Sequence, residues 1–404
     1  MLKRIAFALL IATTVSAQAQ TATDLEKRVD EMKRQIEVLT QQIEALKLGE
    51  KQAAAQADTS TYGLGAAASK VYRTDQGVSF GGYGEFRYEN PKEGIPTADF
   101  ARGVLYTGYK FNDRVLFNSE LEVEHGTTEV GGAVSLEFAY LDYLLHPAAN
   151  VRAGLVLLPM GLINEQHEPT AYFGARRPEV EDRILPTTWS EIGAGVFGDS
   201  GPFTYRGYVV TGLNSTRFTA EDALHEGKQA GSEAAAHDLA VTGRLDWHPI
   251  EGAMIGGAIY TGGSGQGAGF KGNVTLADIH ADAKFRGVSL RALAARGHIG
   301  DAAAISEQNG ETIGSSIAGW YVEGGYDLGT RISVTPYARY ERLDTQRRVA
   351  AGFTRDREND RRITTLGLAI KPISQTVIKT DYQKIRTGAG SDQSQFNISL
   401  GYIF

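Results

Sequence analysis

The last ten residues, Gln395 to Phe404, constrain this chain more than any other stretch. Phe396, Ile398, Leu400, Tyr402 and Phe404 fall on one face of a strand. Gln395, Asn397, Ser399 and Gly401 fall on the other, and Ile403 is the one exception. The strand ends on an aromatic residue. In a soluble fold such a bare apolar edge invites pairing with other chains. A membrane barrel resolves the problem, because one face meets lipid, the other meets the lumen, and the last strand closes onto the first.

The other end carries an export signal. Met1-Leu2-Lys3-Arg4 is basic, Ile5 to Val15 is apolar, and Ala17-Gln18-Ala19 is a small-residue cleavage pattern. Residues 1–19 are therefore expected to be a signal peptide. The apolar run falls short of the roughly 20 residues that span a bilayer as a helix. An exported chain without membrane helices is periplasmic, secreted or in the outer membrane. The mean hydropathy of −0.24 does not exclude the last, since lumen residues dilute the lipid-facing ones. With no cysteine there are no disulfides or thiolate metal sites, and a formal charge of −7 argues against nucleic acid as a partner.

Leu25, Val29, Met32, Ile36, Leu39, Ile43 and Leu46 alternate spacings of four and three, an apolar heptad seam. Residues 20–52 are expected to form a periplasmic coiled-coil helix that joins subunits. Its core residues lean towards two strands. Residues 53–77 read as a linker.

From residue 78 the pattern becomes strict alternation. Val78, Phe80, Phe86 and Tyr88 share one face, and Ser79, Tyr83, Glu85, Arg87 and Glu89 the other. In 115–124, Val115, Phe117, Leu121 and Val123 oppose Asn118, Glu120, Glu122 and Glu124. Segments 238–247 and 278–285 repeat the rhythm. Charges at every second position fit a wet lumen, whereas a soluble sandwich would bury its apolar face against a second sheet. Short turns at 112–113, 147–150, 199–202, 249–252, 286–287, 329–330 and 372–375 alternate with longer connections, including 160–189, 214–236, 297–314 and 344–360. This predicts an antiparallel transmembrane β-barrel of about sixteen strands over 78–404, with short periplasmic turns and long external loops. A barrel of that size leaves an aqueous channel.

Four segments carry a family resemblance: Gly-Leu-Gly-Ala-Ala-Ala-Ser-Lys-Val-Tyr (63–72), Gly-Gly-Tyr-Gly-Glu (81–85), Tyr-Lys-Phe-Asn-Asp-Arg (109–114) and Gly-Ala-Arg-Arg-Pro-Glu-Val-Glu (174–181). Over roughly 62–404 the chain resembles the phosphate-selective porin O/P type family of Gram-negative outer membranes. That resemblance implies a sixteen-stranded trimeric porin.

The connection 160–189 is the third external loop. In general porins that loop often folds inward. Its candidate constriction residues are Arg176, Arg177, Arg183, Glu165 and Glu168, whose opposed charges would set a field across the pore. By alternation Arg87, Arg102, Arg152, Arg206, Arg244, Lys284, Arg291, Arg339, Glu120, Glu122 and Glu124 face the lumen. Residues 331–404 hold thirteen Lys or Arg against seven Asp or Glu. Arg347, Arg348, Arg355, Arg357, Arg361 and Arg362 cluster near the seventh external loop, as a basic entrance or as contacts for lipopolysaccharide phosphates. The function expected is passive diffusion of small hydrophilic solutes, leaning towards anions such as phosphate. A surface receptor or adhesin is the alternative, and an enzyme is the remoter one, since no Gly-x-Ser-x-Gly elbow occurs. The partners expected are solutes, outer-membrane lipid, lipopolysaccharide and further copies of the chain. No cofactor or metal is expected. Glu165, His167 and Glu168 place two carboxylates near an imidazole, but a metal would need ligands from elsewhere.

Overall fold

A computed structural model describes residues 27, 33–36, 40, 60–127, 131–329 and 332–404. The signal peptide and nearly all of the heptad seam lie outside these residues; Lys27, Lys33–Ile36 and Thr40 are helical.

Sixteen strands follow one another around a closed barrel. They are β1 (Gly77–Pro91), β2 (Thr97–Lys110), β3 (Val115–Glu124) and β4 (Ala133–His146). Then come β5 (Ala149–Leu157), β6 (Ser190–Ser200), β7 (Phe203–Thr211) and β8 (Leu239–Ile250). The third group is β9 (Ala253–Gly262), β10 (Val274–Phe285), β11 (Val288–Ile299) and β12 (Gly314–Tyr326). The last are β13 (Ser333–Val349), β14 (Asp360–Lys371), β15 (Thr376–Thr387) and β16 (Gln395–Ile403). All pairs are antiparallel, as the alternation and the loop rhythm predict. The strand β13 runs on to Val349, so the seventh external connection is shorter than the spacing of turn residues suggested.

The barrel closes where Tyr83 to Pro91 pair with Ile403 back to Gln395. Phe404 continues the seam: its N–H donates to Gly82 O at 2.9 Å, and Gly82 N–H donates to Phe404 O at 3.0 Å. Ile403 breaks the apolar/polar alternation because it points inward into a buried cluster.

The two faces of the wall differ as the period of two requires. Leu105, Leu141, Val209, Val241, Ile259, Ile279, Leu366 and Ile398 are exposed on the outside. On a soluble protein this band would be an aggregation surface; a lipid surround makes it the stable arrangement. Trp320 and Tyr340 pack 5.5 Å apart on this outer face.

The inside is not simply wet. The connection from Leu158 to Trp189 turns inward, and its Leu158, Met160, Val180, Ile184, Leu185 and Trp189 are buried with wall residues Tyr260, Leu293, Ile317 and Tyr321. Each fully buried apolar side chain of this size contributes about 1.5–3 kcal/mol. That is the order of the cost of fixing a backbone residue, about 1–2 kcal/mol, so the loop also needs its polar anchors.

A second segment shares the lumen. The stretch expected as a linker, 53–77, is packed over the described part from Thr61 onwards: Leu64, Ala67, Ala68 and Val71 are almost fully buried. It includes the short helix α1 (Lys70–Arg73), which lies against β1, β2 and β3. The linker expectation fails here because small, uncharged residues suit tight packing against a wall as well as they suit flexibility. The other α-helix among the described barrel residues, α2 (Ala302–Asn309), belongs to an external loop.

Candidate functional site: the lumen and its inward loop

The base of the third loop is closed by one side chain. Asn164 Nδ2 donates to Leu158 O at 2.6 Å and to Trp189 O at 3.0 Å, while its Oδ1 accepts from Trp189 N–H at 2.7 Å. Both ends of the loop are thus held by a residue inside it. From there the loop crosses the lumen and is fastened along the far wall. Gly161 N–H donates to Asp278 on β10 at 3.1 Å. Ala175 N–H donates to Asp381 on β15 at 2.7 Å, and Tyr172 OH donates to Glu85 on β1 at 3.2 Å. Arg339 on β13 reaches the carbonyl of Arg176. Within the loop, Glu181 accepts from Leu162 N–H at 2.8 Å and Ile163 N–H at 2.7 Å, and also from Tyr321 OH. Burial nevertheless pushes the Glu181 carboxyl above its ordinary value, against those three donors.

The constriction candidates separate into two groups. Arg176 is one-third exposed and lies 3.6 Å from Glu89. Arg177 is half-buried, with its guanidinium 3.4 Å from the carbonyl of His167. Arg183 is tied to Glu179 at 3.4 Å and to Glu221 and Asp222, each at 2.9 Å. Glu165 and Glu168 do not border open water. Glu165 is buried 3.0 Å from Arg206 and 3.9 Å from Arg244. Glu168 accepts the N–H groups of Ala67 at 2.8 Å and Ala68 at 3.2 Å, so it anchors the N-terminal segment. Both lie in the first third of the loop, which is packed against β7, β8 and the N-terminal segment. Burial raises the Glu168 carboxyl above its ordinary value, opposed by those two N–H groups.

Every residue expected on the inner face lies at an inward position, and most are neutralised there. Arg152 is fully buried, 2.8 Å from Asp142, and its ion stacks over Tyr140 and Phe197. Arg206 lies 3.4 Å from Asp246, Arg244 lies 2.8 Å from it, and His280 lies 2.9 Å from it. Arg339 is buried between Glu323 at 3.2 Å and Glu341 at 2.7 Å. Arg87 and Arg102 share Glu85, at 3.2 and 3.5 Å, and Arg102 is also 3.5 Å from Glu122. Arg291 lies 2.7 Å from Asp282. Glu124 sits opposite Arg102 in the register. Glu120 contacts His167 at 3.0 Å. A cavity of about 180 Å³ lies between the loop tip and the wall, bordered by Lys284, Lys371, Asp327, the loop residues Thr170 to Phe173, and Arg291 with its partner Asp282 beside it.

The structure adds residues that alternation alone did not single out. Arg152 donates to Tyr72 OH at 2.8 Å, and Arg206 donates to Tyr62 O at 3.4 Å, so the inner arginines clamp the N-terminal segment. Gly63 has φ +85°, and a Cβ there would sit 1.9 Å from Arg206 Nη2. At that positive φ a glycine fits without strain, and its lack of a side chain lets the guanidinium lie against it. Lys379 is fully buried on β15, its ammonium 3.6 Å over the Tyr172 ring. The signal for the segment was present in residues 63–72, which are small, nearly uncharged and unlike a solvated linker.

The arginines near the seventh loop do not form one surface. Arg361 turns inward, 3.0 Å from Glu179. Arg355 is paired with Asp344 and Asp360. Arg362 points outward, in a row in which Arg342 pairs with Arg362 and Arg362 with Arg386 across β13, β14 and β15.

No family model matches the chain. Its barrel is similar to several solved structures. An anion-selective porin from Comamonas acidovorans superposes with a TM-score of 0.56 at 11% identity, covering 81% of this chain and 99% of that one. OmpF of Salmonella typhi, in complex with daunomycin, gives 0.56 at 10% identity, with 82% and 98% covered. The outer membrane channel DcaP of Acinetobacter baumannii gives 0.54 at 14% identity, with 81% and 97% covered. These likenesses are of fold. In sequence, an uncharacterised protein of Aquifex aeolicus is 34% identical over 363 residues, covering 85% of this chain and 83% of that protein. With that identity over that length, the chain belongs to the same family as the Aquifex protein.

Proposed function

We propose that this protein is an outer-membrane porin through which small hydrophilic solutes diffuse, with a preference for anions of the phosphate type. The observation that carries the proposal is the inner architecture. A closed barrel with a charged inner face holds a loop across its bore, and the space left beside the loop tip is bordered by Lys284, Arg291 and Lys371 against Asp327. Low-dielectric walls focus the field of such groups on a passing ion. The Comamonas structure, itself an anion-selective porin, supports the same reading. No covalent chemistry and no cofactor are required. Planar-bilayer recording tests it. Stable ohmic steps, with a reversal potential of anionic sign in a salt gradient, are expected. A silent barrel would sink the channel reading and favour a receptor, and cationic selectivity would sink the anion preference alone.

In this reading residues 1–19 are removed on export, and the seam from Leu25 to Leu46 joins three barrels through the periplasm. Deleting residues 21–50 should weaken the oligomer in mild detergent and leave the barrel folded; an unchanged oligomer refutes the joint. Outside, the row of Arg342, Arg362 and Arg386 meets lipopolysaccharide phosphates. Like charges directly opposite one another are unfavourable unless anions bridge them. Asp360, 3.8 Å from Arg342, and Asp392, 3.2 Å from Arg386, meet only part of that need. The triple alanine variant should copurify with less lipopolysaccharide; unchanged lipid content refutes the contact.

A further inference from the structure

His167 reaches the barrel wall in a way that its neighbours do not explain. Its Nδ1 is 2.8 Å from the carbonyl of Asn164, an acceptor only, so Nδ1 carries the proton. In the neutral ring Nε2 then presents a lone pair. That lone pair faces Glu120, whose two oxygens lie at 3.0 and 3.2 Å. Acceptor faces acceptor, and something positive must lie between them: a second proton on the ring, or a metal ion.

The surroundings favour the ion. Glu120, Glu137 and His167 are all buried, and one ligating atom from each lies within 4.8 Å of the others. Glu137 lies in the β-bulge that faces Glu120 and Leu121, next to Glu122. Two oxygens of this group, Glu137 Oε2 and Glu122 Oε1, are buried without a hydrogen-bond partner. A ring proton would satisfy Glu120 alone, so the two other carboxylates need a further positive charge between them, which one ion bound by all three supplies at once. Arg102, 3.5 Å from Glu122, also serves Glu85 at the same distance, so it only partly offsets the three carboxylates, and a cation held among them would answer the rest. A histidine whose Nδ1–H is fixed by a backbone carbonyl, with Nε2 turned to a carboxylate-lined space, is also the usual way a metal-binding imidazole is oriented.

We propose that Glu120, Glu137 and His167, with Glu122 beside them, form a binding site for a borderline divalent cation of the zinc class. Imidazole nitrogen with carboxylate oxygen is the donor set such an ion takes, whereas magnesium and calcium prefer oxygen alone. The carboxylates stand on β3 and β4 and the imidazole on the inward loop, so the ion cross-links the loop to the wall. The inference goes beyond solute passage and stands whether or not the barrel conducts.

The test is titration of the full-length, untagged protein in detergent, after chelator treatment, with Zn2+ alone and with Mg2+ alone. One saturable high-affinity Zn2+ site per chain, without a Mg2+ counterpart, is expected. The isosteric Glu137→Gln and the separate His167→Gln should each weaken that site by at least the roughly 10–100-fold that an outer-shell change costs. Heat-modifiable migration checks that both variants are folded. Should one fail to fold, the other decides, and an anomalous zinc signal in crystals of the native protein locates the ion independently. Absence of a saturable site, a site that binds Mg2+ equally well, or affinity unchanged in the folded variants would overturn the proposal and leave the proton as the bridging charge.

Discussion

The bore of this barrel has two walls that carry the same kind of residue to different ends. On β5, β7 and β8, Arg152, Arg206 and Arg244 are buried, each beside a carboxylate, and two of them hold the segment that includes Tyr62 and Tyr72. On β10 and β14, Lys284 and Lys371 border the cavity beside the loop tip, Lys371 donating to Thr170 O at 3.0 Å, and Arg291 on β11 borders it while paired with Asp282. The difference teaches that a count of inward cations says little about the field felt by a solute. A buried ion pair is almost invisible from the bore, and its role is to position chain. A cation beside open water acts on whatever passes.

The strongest way to break this comparison is Arg152→Ala. It strands the buried Asp142 carboxylate, and losing one partner of a buried pair costs about 3–5 kcal/mol. Lys284→Ala, at an exposed position, should change stability by no more than about 0.5 kcal/mol. Denaturant midpoints of the two variants in the same detergent decide the matter. Equal losses would mean that the two walls do not differ in kind.

Gly63→Val attacks the clamp from the other side. A side chain there needs an unfavourable positive φ and meets Arg206, a strain of about 1–3 kcal/mol. The segment should leave its seat and single-channel conductance should rise, with the barrel still heat-modifiable. Unchanged conductance would show that the segment is not in the solute path.

Lys284→Glu combined with Lys371→Glu sharpens the comparison, although it removes the hydrogen bond that Lys371 donates to Thr170 O on the loop. Stability should fall by about 0.5–1.5 kcal/mol, the worth of one such bond, while the reversal potential moves towards cations. A reversal potential that does not move would place the selective ring elsewhere.

The smallest effect concerns pH. Burial raises the Glu168 carboxyl, so the folded state holds its proton more tightly than the unfolded chain does. The stability this contributes is present below the ordinary carboxylate value and is lost as pH rises through the raised one. Replacing Glu168 with Gln should flatten that slope, as read from unfolding midpoints across mildly acidic to neutral pH. A slope identical to the wild type would remove Glu168 as its source.

The barrel was legible because a period of two is a property of neighbouring residues. Strand number, the inward set from Arg87 to Arg339 and the position of the third loop all follow from it, and from turn spacing. What the loop does once inside was not legible. Glu165 and Glu168 look like their neighbours Arg176 and Arg177 in sequence, yet the first two are buried against Arg206 and the Ala67 and Ala68 amides. Those partners are far away along the chain, and no local pattern encodes them. The same holds for Arg361 and Arg362. They are adjacent in sequence, but alternation sends one to Glu179 inside and the other to the outer face beside Arg342. Residues 60–76 were hidden for another reason: small residues are ambiguous between a tether and a tightly packed strap.

The seam between Tyr83–Pro91 and Gln395–Ile403 has a consequence for biogenesis. Fifteen of the sixteen strands can pair with the strand made just before them, but β1 must wait for the last strand. Until then the growing sheet has two open edges, each able to recruit a foreign strand. Closure therefore acts as a length check: a chain that stops before Gln395 cannot hide its first edge, whatever the quality of the rest. The cell needs no knowledge of the pore to tell a finished molecule from an unfinished one; an exposed β1 is enough.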